Sequence, residues 1–193
     1  MVDLNDKRIR VIVGHYGSGK TEFSVNYVLK LAEQGKKTAL VDLDIANPYF
    51  RSRERRQLLE GKGIQVFSNT FGYDITADLP AITARIKAPL EDESFQTVVD
   101  AGGNDSGARI LNQFGKYLSG PDCDLLCVIN ANRPETDSVA GALNHIRRIE
   151  AETNLRMTGL VNNTHMLKET STEDILKGYE LCQELSQKLA VPV

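Results

Sequence analysis

The sequence predicts an α/β fold, a doubly wound and mainly parallel sheet with helices on both faces, and three observations predict it. Short β-rich runs are near-continuously apolar instead of alternating, as strands buried on both faces must be. These runs alternate with segments of helical periodicity from one end of the chain to the other, which implies right-handed crossovers. A glycine-rich turn, Gly14-His15-Tyr16-Gly17-Ser18-Gly19-Lys20-Thr21, joins the first strand to the first helix. At 193 residues, with no repeat, low-complexity tract or linker, the chain suits one domain over residues 1–193.

Arg10-Val11-Ile12-Val13 is the first strand, a short apolar run. Residues 21–34 form the first helix, because Phe23, Tyr27, Val28 and Leu31 recur at helical spacing. The second strand, residues 37–42, is an apolar run closed by an acid, and a helix is expected over 52–60. A strand at 64–67 and a helix at 77–86 follow. Residues 97–100 are again apolar and end in an acid, before a helix at 106–118 for which Asp105 or Ser106 is the simplest N-cap. Leu125-Leu126-Cys127-Val128-Ile129 is the fifth strand, and Thr136 is the expected cap of a helix at 136–152. A strand at 157–162 and a helix at 172–189 complete the alternation. Residues 190–193 read as the start of a further strand or an arm.

Composition bounds the function without naming it. Hydrophobic residues at 41% and charged residues at 25% are ordinary for a soluble globular protein. A formal net charge of -3 argues against a nonspecific binder of nucleic acid or acidic membranes. Residues 1–7 are polar and no apolar run nears the length of a membrane span, so a cytoplasmic location is expected. Cys123, Cys127 and Cys182 form no C-x-x-C pair and read as buried small apolar residues. His15, His145 and His165 are scattered along the chain and suggest no metal site.

The turn after the first strand meets the pattern G-x-x-x-x-G-K-[ST] in the strand–loop–helix context that the pattern requires. Its glycines let consecutive backbone N–H groups converge on one anion, and the helix N-terminus adds its own N–H groups and dipole. Lys20 is placed to reach the β- and γ-phosphates of a nucleotide, and the Thr21 hydroxyl to ligate Mg²⁺. Two further strands end in acids beyond the same sheet edge, where ligands of such folds bind. Asp100, followed by Ala101-Gly102-Gly103, can hold Mg²⁺ through its hydration shell, and the glycine pair lets backbone approach the γ-phosphate. Asp42 and Asp44 form an Asp-x-Asp pair whose charges repel unless a cation or donors lie between them. One of the two orients the attacking or a metal-bound water, with Asp44 slightly favoured for that and for the metal, unless Asp44 serves only as a cap or turn.

With the Gly14–Thr21 loop, Val41-Asp42-Leu43-Asp44 before Asn47-Pro48, Val98-Val99-Asp100-Ala101-Gly102-Gly103 and Leu160-Val161-Asn162-Asn163, the chain resembles the MinD/ParA/CobQ-type P-loop ATPases over nearly its whole length. The resemblance implies that Lys20 and Thr21 are the phosphate-loop Lys and Thr. Asp42 and Asp44 then match the first switch, Asp100 and Gly103 the second, and Asn162 or Asn163 an asparagine that reads the adenine edge. One departure stands out. Family members that dimerise around ATP carry a signature lysine directly after the first loop glycine, where this chain has His15, followed by Tyr16. That substitution puts an ATP-sandwich homodimer in doubt and leaves His15 as a polar loop residue or a pH-dependent substitute.

ATP is expected over GTP. GTPases of this class carry Asn-Lys-x-Asp after a strand, and Leu160-Val161-Asn162-Asn163-Thr164-His165 has no Asp at that spacing. An Asn side chain offers both the donor and the acceptor that adenine needs. Beyond the Asp-x-Asp pair, Tyr49 and Phe50 adjoin Arg51, Arg53, Arg55 and Arg56, read either as a solvated basic helix turn or as a docking surface for an acidic partner or anionic substrate. Residues 102–109 read as a mobile loop entering a helix, and Arg133 as able to approach phosphate or base. Two functions follow. In one, Mg-ATP reshapes residues 42–56 and 102–109 and a protein partner reads the change. In the other, the enzyme phosphorylates or activates a small carboxylic acid, as CobQ- and dethiobiotin-synthetase-type relatives do.

Overall fold

The computed structural model describes residues 7–44, 56–68 and 79–193. Six strands form one sheet: β1 (Ile9–Val13), β2 (Thr38–Asp42), β3 (Gln65–Ser68), β4 (Gln96–Asp100), β5 (Cys123–Ile129) and β6 (Gly159–Asn162). Every pairing is parallel, and the order is β3-β2-β4-β1-β5-β6. All five residues of β1 and of β2 are buried, as a sheet covered on both faces demands.

The helices divide between the faces. On one side α1 (Lys20–Glu33) packs Val25, Val28 and Leu31 on Ile12, Leu40, Val98 and Val128, with Leu59 of α2 (Arg56–Glu60) beside them. The other side carries Ile86 and Leu90 of α3 (Leu79–Glu91), Ile146 and Ile149 of α6 (Val139–Thr153), and Leu181 and Leu185 of α7 (Thr172–Leu189). They cover Val11, Val13, Val41, Val99, Leu125 and Ile129. The predicted doubly wound α/β architecture is therefore the observed one.

Three elements depart from expectation. The helix expected at 77–86 runs on to Glu91 through Pro89. Its last carbonyls are satisfied from outside, because Arg8 donates from Nη1 to Pro89 O (3.3 Å) and from Nη2 to Leu90 O (2.7 Å). The helix expected at 106–118 is broken into α4 (Asp105–Ala108), a 3₁₀ stretch (Arg109–Phe114) and α5 (Gly115–Leu118). Three residues per turn place Leu111 and Phe114 on one face, where both are buried. At the start of α4 Asn104 Oδ1 accepts from Gly107 N–H at 2.7 Å; the side chains of the expected caps, Asp105 and Ser106, lie outside the described residues. Thr136 does not cap α6. Its hydroxyl donates to Asn130 O (2.7 Å), and Ser138 caps the helix by accepting from Gly141 N–H.

The chain after α7 lies along β6, with Leu160 N–H donating to Pro192 O at 2.9 Å. The three cysteines are buried, and burial pushes each thiol up to about 12. Among the described residues no helix is long and apolar enough to cross a membrane.

Candidate functional site

The loop between β1 and α1 turns at Gly17 (φ 73°) and Gly19 (φ 86°), conformations that a Cβ would strain. α1 then starts at Lys20 with no capping side chain, whereas Ser138 and Ser171 cap α6 and α7. Its first N–H groups and the positive end of its dipole thus remain for an anion. Ser18 is fully buried, and its Oγ has no hydrogen-bond partner among the described residues. Lys20 is buried as well, its Nζ 3.4 Å from His15 O. Burial lowers its pKa, while Asp100 and Asp44 oppose that shift by attraction.

β2 and β4 pair in a register that sets Asp42 directly beside Asp100 at their carboxyl ends. Asp44 follows two residues on, its N–H donating to Asp42 Oδ1 at 3.2 Å. All three acids are buried. The Asp-x-Asp pair is thus folded into a local turn with Lys20 as the neighbouring cation. Burial pushes Asp100 up to about 7, against a Thr21 hydrogen bond and Lys20, and with Asp42 and Asp44 adding to the rise. Ser24 Oγ donates to Asp100 Oδ1 (3.3 Å), and Oδ2 is buried with no partner among the described residues. A carboxylate oxygen left in that state beside a Thr hydroxyl fits a hydrated divalent cation. Gly103 closes the site: a Cβ there would stand 2.7 Å from Lys20 Nζ and 3.1 Å from Tyr16 N. Gly14, Gly17, Ser18, Gly19, Lys20, Thr21, Asp42, Asp44, Asp100 and Gly103 therefore come together at one edge of the sheet.

The outer side of the loop is braced by two side chains from distant segments. Arg133 Nε donates to Gly17 O (3.1 Å), and Asn163 Nδ2 donates to Ser18 O (2.7 Å). Those bonds hold the Gly17 and Ser18 carbonyls, while the Ser18 N–H closes the turn on His15 O at 3.1 Å. Arg133 was legible only as a cation near the site, and nothing in the sequence marks a backbone carbonyl as its target. Asn162 faces elsewhere, donating to Ile175 O (3.0 Å) and accepting from Thr164 N–H (3.2 Å). His15 turns its Nδ1 to Tyr16 O (3.1 Å) and its Nε2 toward Glu135 (3.7 Å), with its ring edge-on to His145. His165 accepts Leu167 N–H at Nδ1 (3.3 Å), and burial together with Arg133 lowers its pKa. Among the described residues no cluster of three His, Cys, Asp or Glu could hold a metal. Arg51, Arg53 and Arg55, with Tyr49 and Phe50, lie outside the described residues. Arg56 donates to Val66 O (3.3 Å) and lies 3.8 Å from Glu60.

Comparison with known proteins agrees with this geometry. Residues 10–191 match CbiA, the CobQ/CobB/MinD/ParA nucleotide binding domain, and the chain belongs to that family of P-loop NTPases. A curated relative, "ATPase GET3C" of Arabidopsis thaliana, is 28% identical over 182 residues, covering 90% of this chain and 43% of the relative. The chain thus spans less than half of that protein. Among solved structures, cell division protein FtsY of Thermotoga maritima superposes with a TM-score of 0.65 at 18% identity, over 96% of this chain and 59% of that one. Chloroplast FtsY of Physcomitrella patens gives 0.60 at 19%, over 96% and 56%. At such identities these structures attest the shared fold.

Proposed function

We propose that this domain binds Mg-ATP and hydrolyses it as a nucleotide-controlled switch for a protein partner, in the cytoplasm. The observation that carries the reading is the buried Lys20, set against Asp100 and Asp44 beside an uncapped helix N-terminus and an unpartnered Asp100 oxygen. In this reading the loop N–H groups and Lys20 hold the β- and γ-phosphates and stabilise the charge that spreads over the transferred phosphoryl group. Thr21 and Asp100, together with Asp44, are the residues that would hold Mg²⁺, which would supply further charge neutralisation to the phosphates. Asp42 or Asp44 orients the attacking water, Asp44 being slightly favoured.

ATP is preferred because Asn163 braces the loop and the residue three positions beyond it is Met166, which cannot accept the two guanine N–H groups. The printed name of the Arabidopsis relative, an ATPase, agrees with that choice. Gly103 lies against the loop and Gly102 against Gly107, so a γ-phosphate acts first on residues 102–109. The test is hydrogen exchange of the Mg-ATP and Mg-ADP forms, with turnover measured alongside. Residues 102–109 exchange more slowly with Mg-ATP if the reading holds. Identical exchange in both states, or turnover that strictly requires an added carboxylic acid, contradicts the switch.

A further inference from the structure

Helix α1 buries Lys20, Ser24, Val25, Val28 and Leu31, and of these Ser24 alone serves neither the phosphate loop nor the apolar core. It is fully buried, at a position where alanine would suit the helix better. A serine inside a helix ordinarily turns its hydroxyl to water or to the carbonyl four residues back. Here Ser24 Oγ donates to Asp100 Oδ1 at 3.3 Å, across 76 residues of sequence.

Ser24 stands three residues after Thr21, so the two hydroxyls lie one above the other on one face of α1, and both meet Asp100. Lys20 precedes them and attracts the same carboxylate. Asp100 is therefore drawn two ways. A carboxylate that closed fully on Lys20 would satisfy both charges, and it would take the lysine from a phosphate and the acid from a cation. The Ser24 bond opposes that collapse. It occupies Oδ1, while Oδ2 stays buried with no partner among the described residues.

We propose that Ser24 is a positioning residue for the cation: its hydroxyl holds the Asp100 carboxylate away from Lys20, with Oδ2 open to a hydrated divalent ion. The inference rests on the Mg-nucleotide reading above and adds to it a residue that touches neither nucleotide nor ion.

Calorimetric titration with ATP, in EDTA and at graded Mg²⁺, tests it on the wild type, Ser24→Ala, Ser24→Cys, Asp100→Asn and the Ser24→Ala/Asp100→Asn double variant. Cysteine keeps nearly the size of serine and gives up its strong donor, so the Ala and Cys variants together separate a lost hydrogen bond from lost volume. Both should bind ATP in EDTA within about twofold of the wild type, and both should cut roughly tenfold the factor by which saturating Mg²⁺ strengthens ATP binding. In the Asp100→Asn background Ser24→Ala should leave the Mg²⁺ factor where it is, because its whole effect passes through that carboxylate. An unchanged Mg²⁺ factor in the two Ser24 variants overturns the proposal while leaving Mg-dependent binding by the wild type intact. A loss of equal size in EDTA also overturns it, as the mark of a merely structural role, and so does a loss in Ser24→Ala that Ser24→Cys does not share. Wild-type protein whose ATP affinity ignores Mg²⁺ removes the cation reading itself, and this inference with it.

Discussion

Burial acts against both charges at the centre of the site, lowering the pKa of Lys20 and raising Asp100 to about 7. Each helps to keep the other ionised. The shift at Asp100 has a sign that can be measured. Its folded pKa exceeds the ordinary aspartate value of 3.8, so between about pH 4 and 7 the native state holds the proton that the unfolded chain has released. The contribution of this group to the stability of nucleotide-free, Mg-free protein therefore falls as pH rises through that window and levels off above it. Melting curves of the wild type and Asp100→Asn should diverge across that range, and parallel curves would contradict the assignment. The two braces act differently, because they meet backbone carbonyls and not phosphate. Arg133→Ala should weaken Mg-ATP by about tenfold, and Asn163→Ala by somewhat less, since its bond is neutral. A fluorescent-nucleotide titration reads both, and full affinity in either variant would show that the loop holds its shape without that brace. The acids and the loop were legible because strand ends and glycine spacing mark them. The braces were not, since each bond spans more than a hundred residues, 116 for Arg133 and 145 for Asn163.

Among the elements, the strands were the easiest to read. Burial on both faces removes polar residues from them, and that leaves an apolar run at any register. The stretch from 105 to 118 misled for a physical reason: apolar residues three apart satisfy an α-helical pattern and a 3₁₀ turn alike, and only packing decides between them. Phe114 is the anchor of that stretch, 1% exposed and packed in the core with Leu111 and Leu118. Phe114→Ala should cost about 3–5 kcal/mol in urea unfolding. A loss below about 1 kcal/mol would mean that the segment detaches without disturbing the core. The same stretch is held to the end of α6 by Arg109 Nε on Glu152 (2.9 Å) and Asn112 on Glu152 O (2.6 Å).

For the whole molecule, the strand order does the work that no single motif does. β1 lies between β4 and β5, and β2 lies beyond β4, so acids 58 residues apart in sequence, Asp42 and Asp100, meet in register beside the loop. Handedness rules narrow the topologies to a few but do not choose this order, so it stayed hidden until the sheet was seen. The central claim is that this edge of the sheet is a Mg-ATP site governed by Lys20. Titration calorimetry of the wild type and Lys20→Ala with ATP and GTP, each with and without Mg²⁺, tests it most directly. The account predicts Mg-dependent binding that favours ATP and disappears in Lys20→Ala. Tight Mg-ATP binding by Lys20→Ala, or GTP bound far more tightly than ATP by the wild type, would contradict it.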